Sequence, residues 1–318
     1  MSANGEVGGA STSLDGKVAI VTGAGRGLGR TEALALAASG ARVIVNDHGR
    51  SLDGAASDGS PADEVVAEIR AASGEAVTHA GDVADWDDAH DLIQTAVATF
   101  GQLDVLVNNA GILRDRMIFS MTETDFDDVV RVHLKGHFCT LRAATAHWRE
   151  RAKRGEAVAA SVVNTASEAF LIGSPAQPNY AAAKAGIVAL TLATAQSCAK
   201  YGVRANAICP RARTRMTEAV FGAAPEGQTD PLDPAHVAPL VAYLASPAAA
   251  AINGQVFVVH GGLVALLSPP QLEQRFDAAD GGWNVATLAD ALGPHFADRD
   301  PGATFAATDL LRLRPVSA

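Results

Sequence analysis

Short runs of β-branched residues alternate along the chain with longer segments that have the apolar spacing of helices. The runs predict strands at 17–21, 42–46, 75–79, 103–108, 161–165, 203–208 and 255–260. Helices are predicted at about 27–39, 61–72, 86–100, 123–149 and 180–200. The strands are apolar along their whole length, as parallel strands covered on both faces are. The pattern therefore predicts an α/β fold with a doubly wound parallel sheet of about seven strands.

The alternation of strands and helices fills residues 15–262, and no change in composition divides that range. We expect a single domain there, preceded by a flexible segment at 1–14. Residues 263–318 follow the last predicted strand and are too weakly patterned to bury a core of their own. We expect this C-terminal extension to pack on the core or on a neighbouring subunit. Its two short helical patches are at 270–276 and 285–292.

Composition narrows the choice of partners and location. The chain has 318 residues, with 25 Lys and Arg against 35 Asp and Glu, for a net charge of −10. An acidic protein is repelled by phosphate backbones and anionic lipids, so we expect neither nucleic acid nor a membrane as a partner. The three cysteines form no C-x-x-C pair, and the chain begins without an apolar signal. We therefore predict a cytoplasmic, reducing location, no disulfide and no metal.

Glycines are concentrated between the first strand and the first helix, in the sequence TGAGRGLG at 22–29. Glycine lets the backbone approach a pyrophosphate closely, and the start of a helix offers unpaired N–H groups to an anion. In a strand–turn–helix context, this is typical of a Rossmann dinucleotide site, although a ligand-free tight turn would use glycines too. The candidate cofactor residues here are Gly23, Arg26, Gly27, Leu28 and Gly29.

Aspartates follow the second and third strands. Asp47 lies about 20 residues beyond the glycine turn, where a carboxylate accepts the ribose hydroxyls of NAD and repels the 2′-phosphate of NADP. We therefore predict NAD, while Arg26 and Arg50 together keep NADP open as the less favoured cofactor. Asp82, with Val83 beside it, is placed to contact the adenine, or Asp82 caps the next helix.

Tyr180 and Lys184 are four residues apart in a predicted helix and therefore share one face. A free tyrosine has a pKa of about 10, and a nearby ammonium favours its ionised form. Ser167 ends the fifth strand, at the rim where ligands of parallel sheets bind, although a serine there is also typical of a helix cap. Asn109, Ala110 and Gly111 end the fourth strand at the same rim. The conjunction of these features indicates an oxidoreductase.

As a set, the TGxxxGxG turn, the NNAG sequence, Ser167 and the YxxxK pair resemble the short-chain dehydrogenase/reductase superfamily over about residues 15–262. Within it, the chain is similar to the (3R)-hydroxyacyl-CoA dehydrogenase domain of peroxisomal multifunctional enzymes, also called 17β-hydroxysteroid dehydrogenase type IV. Bacterial steroid-catabolism relatives of that domain are similar too. The segments that carry this second resemblance are VIVNDHG (43–49), NNAGILRDRM (108–117) and RVHLKGHF (131–138).

The resemblance implies a role for each catalytic position. Tyr180 is the acid/base, Ser167 hydrogen-bonds the reacting oxygen, and Lys184 holds the nicotinamide ribose and lowers the tyrosine pKa. Thr214 binds the nicotinamide carboxamide. His133 stands where the superfamily usually has an asparagine that anchors a water relay. This histidine either relays protons or fills the space.

The implied reaction is NAD-dependent oxidation of a secondary alcohol, with a lipid or steroid acyl-CoA as substrate. A free 17β-hydroxysteroid is a further option. The alternatives are an NADPH-dependent 3-ketoacyl reductase and, from another class, a non-catalytic dinucleotide-sensing scaffold. The usual Pro-Gly after the sixth strand is Pro210-Arg211 here. Arg211 and Arg213 either face an anionic CoA or are solvated. The helix at 180–200 is apolar all round, which predicts a homodimer or homotetramer.

Overall fold

The computed structural model describes residues 11–49, 60–225, 227–278, 281–300 and 304–313, without the side chains of 219 and 220. Residues 1–10 of the predicted flexible segment and Arg50 lie outside this range. Leu14 is fully buried, so the packed part of the chain includes the last residue of that predicted segment. Within the described ranges, no helix is long and apolar enough to cross a bilayer.

Eight strands form one sheet in the order β3-β2-β1-β4-β5-β6-β7-β8. The first seven pair in parallel and the eighth is antiparallel. The strands are β1 (Val18–Thr22), β2 (Arg42–Asn46), β3 (Ala76–His79), β4 (Val105–Asn108), β5 (Ala160–Thr165), β6 (Val203–Pro210), β7 (Val256–His260) and β8 (Leu263–Leu266). The strand order reverses between β1 and β4, and a ligand crevice forms at such a point.

Helices cover both faces of the sheet, as the apolar strands require. They are α1 (Gly27–Ala38), α2 (Pro61–Ala71), α3 (Trp86–Phe100), α4 (Glu123–Val130), α5 (Gly136–Lys153), α6 (Ala169–Ile172), α7 (Pro178–Cys198), α8 (Glu218–Phe221), α9 (Ala238–Ala245) and α10 (Val285–Ala297). The helix predicted at 123–149 is α4 and α5 joined by a π-helical turn, Arg131–Lys135.

The C-terminal extension differs from the prediction in two places. β8 pairs with β7, so the expectation that 263–318 lie wholly beyond the last strand is wrong for its first residues. A four-residue strand next to a tight glycine turn gives little periodicity to detect. The predicted patch at 285–292 is helical and lies within α10, whereas 270–276 forms no helix. Leu272 in that patch is 80 % exposed, and a short helix is unstable without packing.

Buried polar side chains connect the elements beneath the carboxyl edge of the sheet. Asn108 donates to Asn164 Oδ1 at 3.0 Å, and Thr140 donates to Asn108 Oδ1 at 2.7 Å. Asn164 in turn donates to Thr191 Oγ1 at 2.9 Å. Because each buried amide has a partner, this network fixes β4 and β5 relative to α5 and α7, which surround the site described below.

Glu32 on α1 is fully buried, and its carboxylate has no hydrogen-bond partner among the described residues. Burial raises its pKa from 4.5 to about 8. The unfolded chain therefore releases this proton at lower pH, and the stability of the fold falls as the pH rises from about 4.5 to 8. We expect Glu32→Met to remove that loss and to stabilise the protein by a few kcal/mol above pH 8.

Denaturant unfolding of both proteins across this pH range measures the effect. The exposed Glu75 provides the matched control, since Glu75→Met leaves the pH dependence as in the wild type. If the free energy of unfolding depends on pH in the same way in the wild type and in Glu32→Met, the pKa of Glu32 is not raised in the fold and the prediction is wrong.

Candidate active site

A cleft of about 650 Å³ opens at the carboxyl edge of the sheet. Most of the predicted cofactor residues line it: Gly23, Arg26, Gly27, Leu28, Asp47, Asp82, Val83, Asn109, Ala110, Gly111 and Thr214. Its lining does not include Gly29, Tyr180 or Lys184. Residues that sequence analysis did not select also contribute, among them Arg131 and Met216. Both lie close to selected residues, but an arginine or a methionine at these positions does not by itself indicate a dinucleotide site, so the sequence did not identify them.

The glycine turn packs tightly against the turn that follows β4. Gly23 has a φ of +62°, and a Cβ there would lie 2.8 Å from Ala110 Cα. A Cβ on Gly29 would lie 2.4 Å from the Gly23 carbonyl oxygen, so Gly29 supports the turn from behind. The side chain of Arg26, the N-cap residue of α1, makes no capping hydrogen bond, so within the described part of the chain the first N–H groups of α1 are available to a ligand. This cradle fits the pyrophosphate of a dinucleotide.

Thr22, the first residue of the glycine-turn motif, holds the turn after β4 in place. The sequence did not reveal this supporting role. Its Oγ1 accepts hydrogen bonds from Asn109 N at 3.0 Å and from Ala110 N at 3.1 Å. The Asn109 side chain donates back to the carbonyls of Thr22 and Gly23. The predicted Asn109–Gly111 segment is thus bonded directly to the glycine turn.

Asp47 lies at the end of the cleft beyond β2. Its Oδ2 accepts from Gly25 N at 2.9 Å and its Oδ1 from Gly49 N at 2.8 Å. Each oxygen keeps a further lone pair, so the carboxylate can still accept hydroxyl donors from a ribose. Arg26 lines the same cleft, and a guanidinium could pair with a phosphate there.

Asp82 forms an ion pair with Arg131, at 2.6 Å, and accepts from Ala84 N at 2.9 Å. Burial raises the pKa of Asp82, but the bonds from Arg131 and Ala84 outweigh it, and the net pKa is lowered. The alternative that Asp82 caps the following helix is wrong, because Asp85 caps α3 through Asp87 N and Asp88 N. Val83 is buried beside this pair.

A hydroxyl, a phenol and an ammonium from two distant parts of the chain come together at the end of β5. Ser167 and Tyr180 share a hydrogen bond. Lys184 Nζ lies 5.3 Å from the centre of the Tyr180 ring and donates to the Thr165 carbonyl. The start of α7 at Pro178 sets the helical spacing of Tyr180 and Lys184. Ser167 Oγ also accepts from Ala169 N at 3.2 Å, in the turn just before α6, whose N-cap residue is Glu168.

The site shifts the pKa values of the phenol and the ammonium in opposite directions. Burial raises the pKa of Tyr180 to about 12, against the lowering effect of the Ser167 hydrogen bond. Burial also lowers the pKa of Lys184 from 10.5 to about 7. Each shift favours the uncharged form, as expected where water is excluded. The resting site therefore holds a protonated phenol, which can donate a proton.

His133 lies inside the site, in the π-helical turn. Its ring meets the Tyr180 ring edge-on at 5.1 Å, and its Nε2 contacts the Ile112 carbonyl at 2.8 Å. A Cβ on Gly111 would lie 2.2 Å from the His133 ring. Burial and the Lys184 charge hold the pKa of His133 well below its usual range, so the ring is neutral. It packs between two predicted site segments, and its catalytic role stays a prediction.

His137 is a buried neighbour that sequence analysis did not select. Burial, together with the nearby Lys184 charge, lowers its pKa from 6.5 to about 3. Its Nε2 has no hydrogen-bond partner among the described residues. The signal that would have found it is its spacing of four residues from His133 on one helical face.

Arg211 and Arg213 have internal partners, so the prediction that they are solvated is wrong, and the alternative that they face an anionic CoA stays a prediction. Arg213 pairs with Asp230 at 2.8 Å and donates to the Phe221 and Gly222 carbonyls. Arg211 pairs with Glu168 at 2.6 Å. Partly buried guanidinium groups require such acceptors, which distant segments supply and local sequence does not reveal. Thr214, the residue after Arg213, lines the cleft near Gly27.

Comparison with known proteins agrees with this geometry. Residues 17–223 match the family described as short chain dehydrogenase. The chain is 54 % identical over 307 residues to hydroxyacyl-CoA dehydrogenase ChsB1 of Mycobacterium tuberculosis, covering 95 % of each protein. It is 42 % identical over 254 residues to peroxisomal multifunctional enzyme type 2 of Mus musculus, covering 80 % of this chain and 33 % of that protein.

Among solved structures, a short chain dehydrogenase from Mycobacterium avium is similar, with a TM-score of 0.78 and 50 % identity. The match covers 88 % of this chain and 95 % of that one. These matches extend over the glycine turn and the Ser167, Tyr180 and Lys184 positions. The chain therefore belongs to the short-chain dehydrogenase family and is an oxidoreductase that acts on CH–OH groups with a nicotinamide dinucleotide.

Proposed function

We propose that this protein oxidises a (3R)-hydroxyacyl-CoA to the 3-ketoacyl-CoA with NAD. The observation that carries the proposal is the meeting of Ser167, Tyr180 and Lys184. His133 connects this group to the dinucleotide cleft, because it contacts both the Tyr180 ring and Ile112 in the cleft lining. The substrate class is supported by the names of the mycobacterial and murine relatives. Acyl-CoAs with a steroid-derived acyl group are among the substrates that this proposal includes.

In the proposed mechanism, the hydroxyl at C3 of the substrate lies between Ser167 and Tyr180. When bound, the nicotinamide dinucleotide supplies the hydride acceptor. In the direction of oxidation, Tyr180 first loses its own proton to solvent, and its phenolate then accepts the hydroxyl proton as the C3–H bond breaks. Ser167 holds the oxygen as it becomes a carbonyl. The ammonium form of Lys184, with its Nζ 5.3 Å from the centre of the ring, favours the phenolate by its charge, and so opposes the burial that raises the pKa of Tyr180 to about 12. In the reverse direction, the protonated Tyr180 returns the proton.

A substrate panel tests the proposed function. Purified protein is mixed with NAD and either short and long 3-hydroxyacyl-CoAs, a steroid acyl-CoA or a free 17β-hydroxysteroid, and nicotinamide absorbance is followed. A preference of about a hundredfold in kcat/KM for an acyl-CoA, or about 2.7 kcal/mol, supports the proposal. NAD binding without turnover of any substrate would instead support the dinucleotide-sensing scaffold.

The proposed preference for NAD rests on Asp47. A hydrogen bond to a charged group contributes about 1.5–3 kcal/mol, so Asp47→Ala should weaken NAD binding by about 10- to 100-fold. The substitution should also reduce the difference in affinity between NAD and NADP, because it removes the charge that repels a 2′-phosphate. Calorimetry with NAD and NADP measures both changes, and the exposed Asp127→Ala is the matched control. Tighter binding of NADP by the wild type would overturn the preference.

We further infer a homodimer or homotetramer in solution. The α7 helix keeps an apolar side chain, Leu192, 40 % exposed on its outer face. Ile118 and Phe119, close to the start of α4, are 74 % and 84 % exposed. Such apolar groups are covered in assemblies. Light scattering that gives the mass of one chain would contradict this inference.

A further inference from the structure

One guanidinium connects the active-site turn to the C-terminal part of the chain. Arg211 follows β6 and forms a bidentate ion pair with Glu168, at 2.6 and 2.7 Å. It also donates to the carbonyls of Leu310 and Leu313 at 2.5 Å. Leu310 lies in the short 3₁₀-helix Thr308–Arg312, and Leu313 ends it. Arg211 thus joins the residue next to Ser167 to the last turn of that helix.

The same C-terminal segment, residues 304–313, is held by two further kinds of contact. Ala307 N donates to the Leu171 carbonyl at 2.9 Å, which ties the segment to α6 directly behind Ser167. Leu310 and Leu313 pack against the apolar cluster that contains Ala166 and Ile187. The segment therefore contacts the chain both before Ser167, at the cluster that contains Ala166, and after it, at α6.

We propose that the C-terminal segment 304–313 is part of the active site, and that Arg211 is a positioning residue through which it holds the Ser167 turn. Glu168 is the covalent neighbour of Ser167, and its side chain is only 11 % exposed. Without Arg211, that carboxylate is buried and unpaired, so the turn must move to solvate it. The movement displaces the Ser167 hydroxyl from Tyr180.

Among the described residues, Arg211 is the cation that forms an ion pair with Glu168. His260, at the end of β7, lies close enough to feel both charges of the pair. Burial first, and then the Arg211 charge, lowers the pKa of His260. Its two ring nitrogens have no hydrogen-bond partner among the described residues. With Arg211 in place His260 is therefore neutral, and the cation that pairs with Glu168 is Arg211.

Two variants disrupt the connection from opposite ends. Arg211→Met removes the guanidinium, whereas Leu310→Ser weakens the docking of the segment and leaves Arg211 in place. Arg211→Lys keeps the charge but cannot serve four acceptors at once, so it should recover part of the loss. Arg312→Met is the matched control, because Arg312 lies in the same helix and is 84 % exposed.

Because the inference rests on the proposed function, two readouts are used. Turnover of a 3-hydroxyacyl-CoA should fall about tenfold or more in Arg211→Met and Leu310→Ser, with affinity for NADH unchanged. Hydrogen exchange of the 166–172 amides, measured without substrate, should accelerate in both variants and remain as in the wild type in Arg312→Met.

The outcomes separate the two proposals. Wild-type turnover with full activity in both variants would overturn the inference, as would unchanged exchange at 166–172. A parallel loss of NADH affinity and turnover would also overturn it, because that result indicates general unfolding. If the wild type turns over no substrate, the proposed function fails, and hydrogen exchange still tests the link between the segment and the Ser167 turn.

Discussion

Tyr180→Phe should lower kcat by about a thousandfold while leaving the affinity for NAD unchanged. The substitution removes the only atom that the mechanism uses to accept the substrate proton. It leaves the ring, its edge-on contact with His133 and the dinucleotide cleft in place. Initial rates of nicotinamide reduction give kcat, and calorimetry gives the dissociation constant of NAD.

The chain provides a matched control for this substitution. Tyr243 is 41 % exposed on α9, and Tyr243→Phe removes the same hydroxyl group from a position outside the cleft. Its kcat should equal that of the wild type. A Tyr180→Phe protein that keeps more than about a tenth of the wild-type kcat would show that another group transfers the proton.

Lys184→Met should abolish most activity and, at the same time, stabilise the fold. Lys184 is 2 % exposed, and burial lowers its pKa from 10.5 to about 7. Between these values the unfolded chain binds a proton that the folded chain does not, so wild-type stability rises with pH from about 7 to 10.5. At pH 7 and below, burying the ammonium destabilises the fold.

The Lys184→Met substitution removes the free-energy cost of burying the ammonium, but it also removes the hydrogen bond to the Thr165 carbonyl. The net gain at pH 6 should be about 2 kcal/mol, and the rise in stability above pH 7 should disappear. Denaturant unfolding at several pH values measures both changes, with the exposed Lys200→Met as control. A Lys184→Met protein less stable than the wild type at pH 6 would refute the assignment of a buried, destabilising ammonium.

The central sheet was predictable because its strands are buried on both faces and therefore apolar throughout. The strands β2 and β5 and the helix α3 lie within one residue of their predicted bounds. The edge strand β8 is apolar in sequence, LVAL, but it has only four residues and is partly exposed, so its sequence alone did not predict a strand. Local periodicity identifies elements that have a full apolar face, and it fails to identify an element whose apolar face is small.

The site was predictable where chemistry and spacing coincide. The glycine turn and the Tyr180–Lys184 pair have fixed local spacings, and the structure brings their segments to one edge of the sheet. Asp82 illustrates the limit, because the sequence predicted it as a possible helix cap, whereas the fold places the cap of α3 at Asp85, three residues later. The Arg211–Glu168 pair joins residues 43 positions apart, and no local pattern encodes such a contact.

The transfer of hydrogen from the substrate to the nicotinamide tests the central claim most directly. A 3-hydroxyacyl-CoA carrying deuterium at C3 is incubated with the wild-type protein and NAD, and the products are analysed by mass spectrometry. The proposed mechanism predicts one deuterium in the reduced nicotinamide ring and none in the 3-ketoacyl product at C3. Release of the deuterium to water, with no label in the nicotinamide, would contradict it.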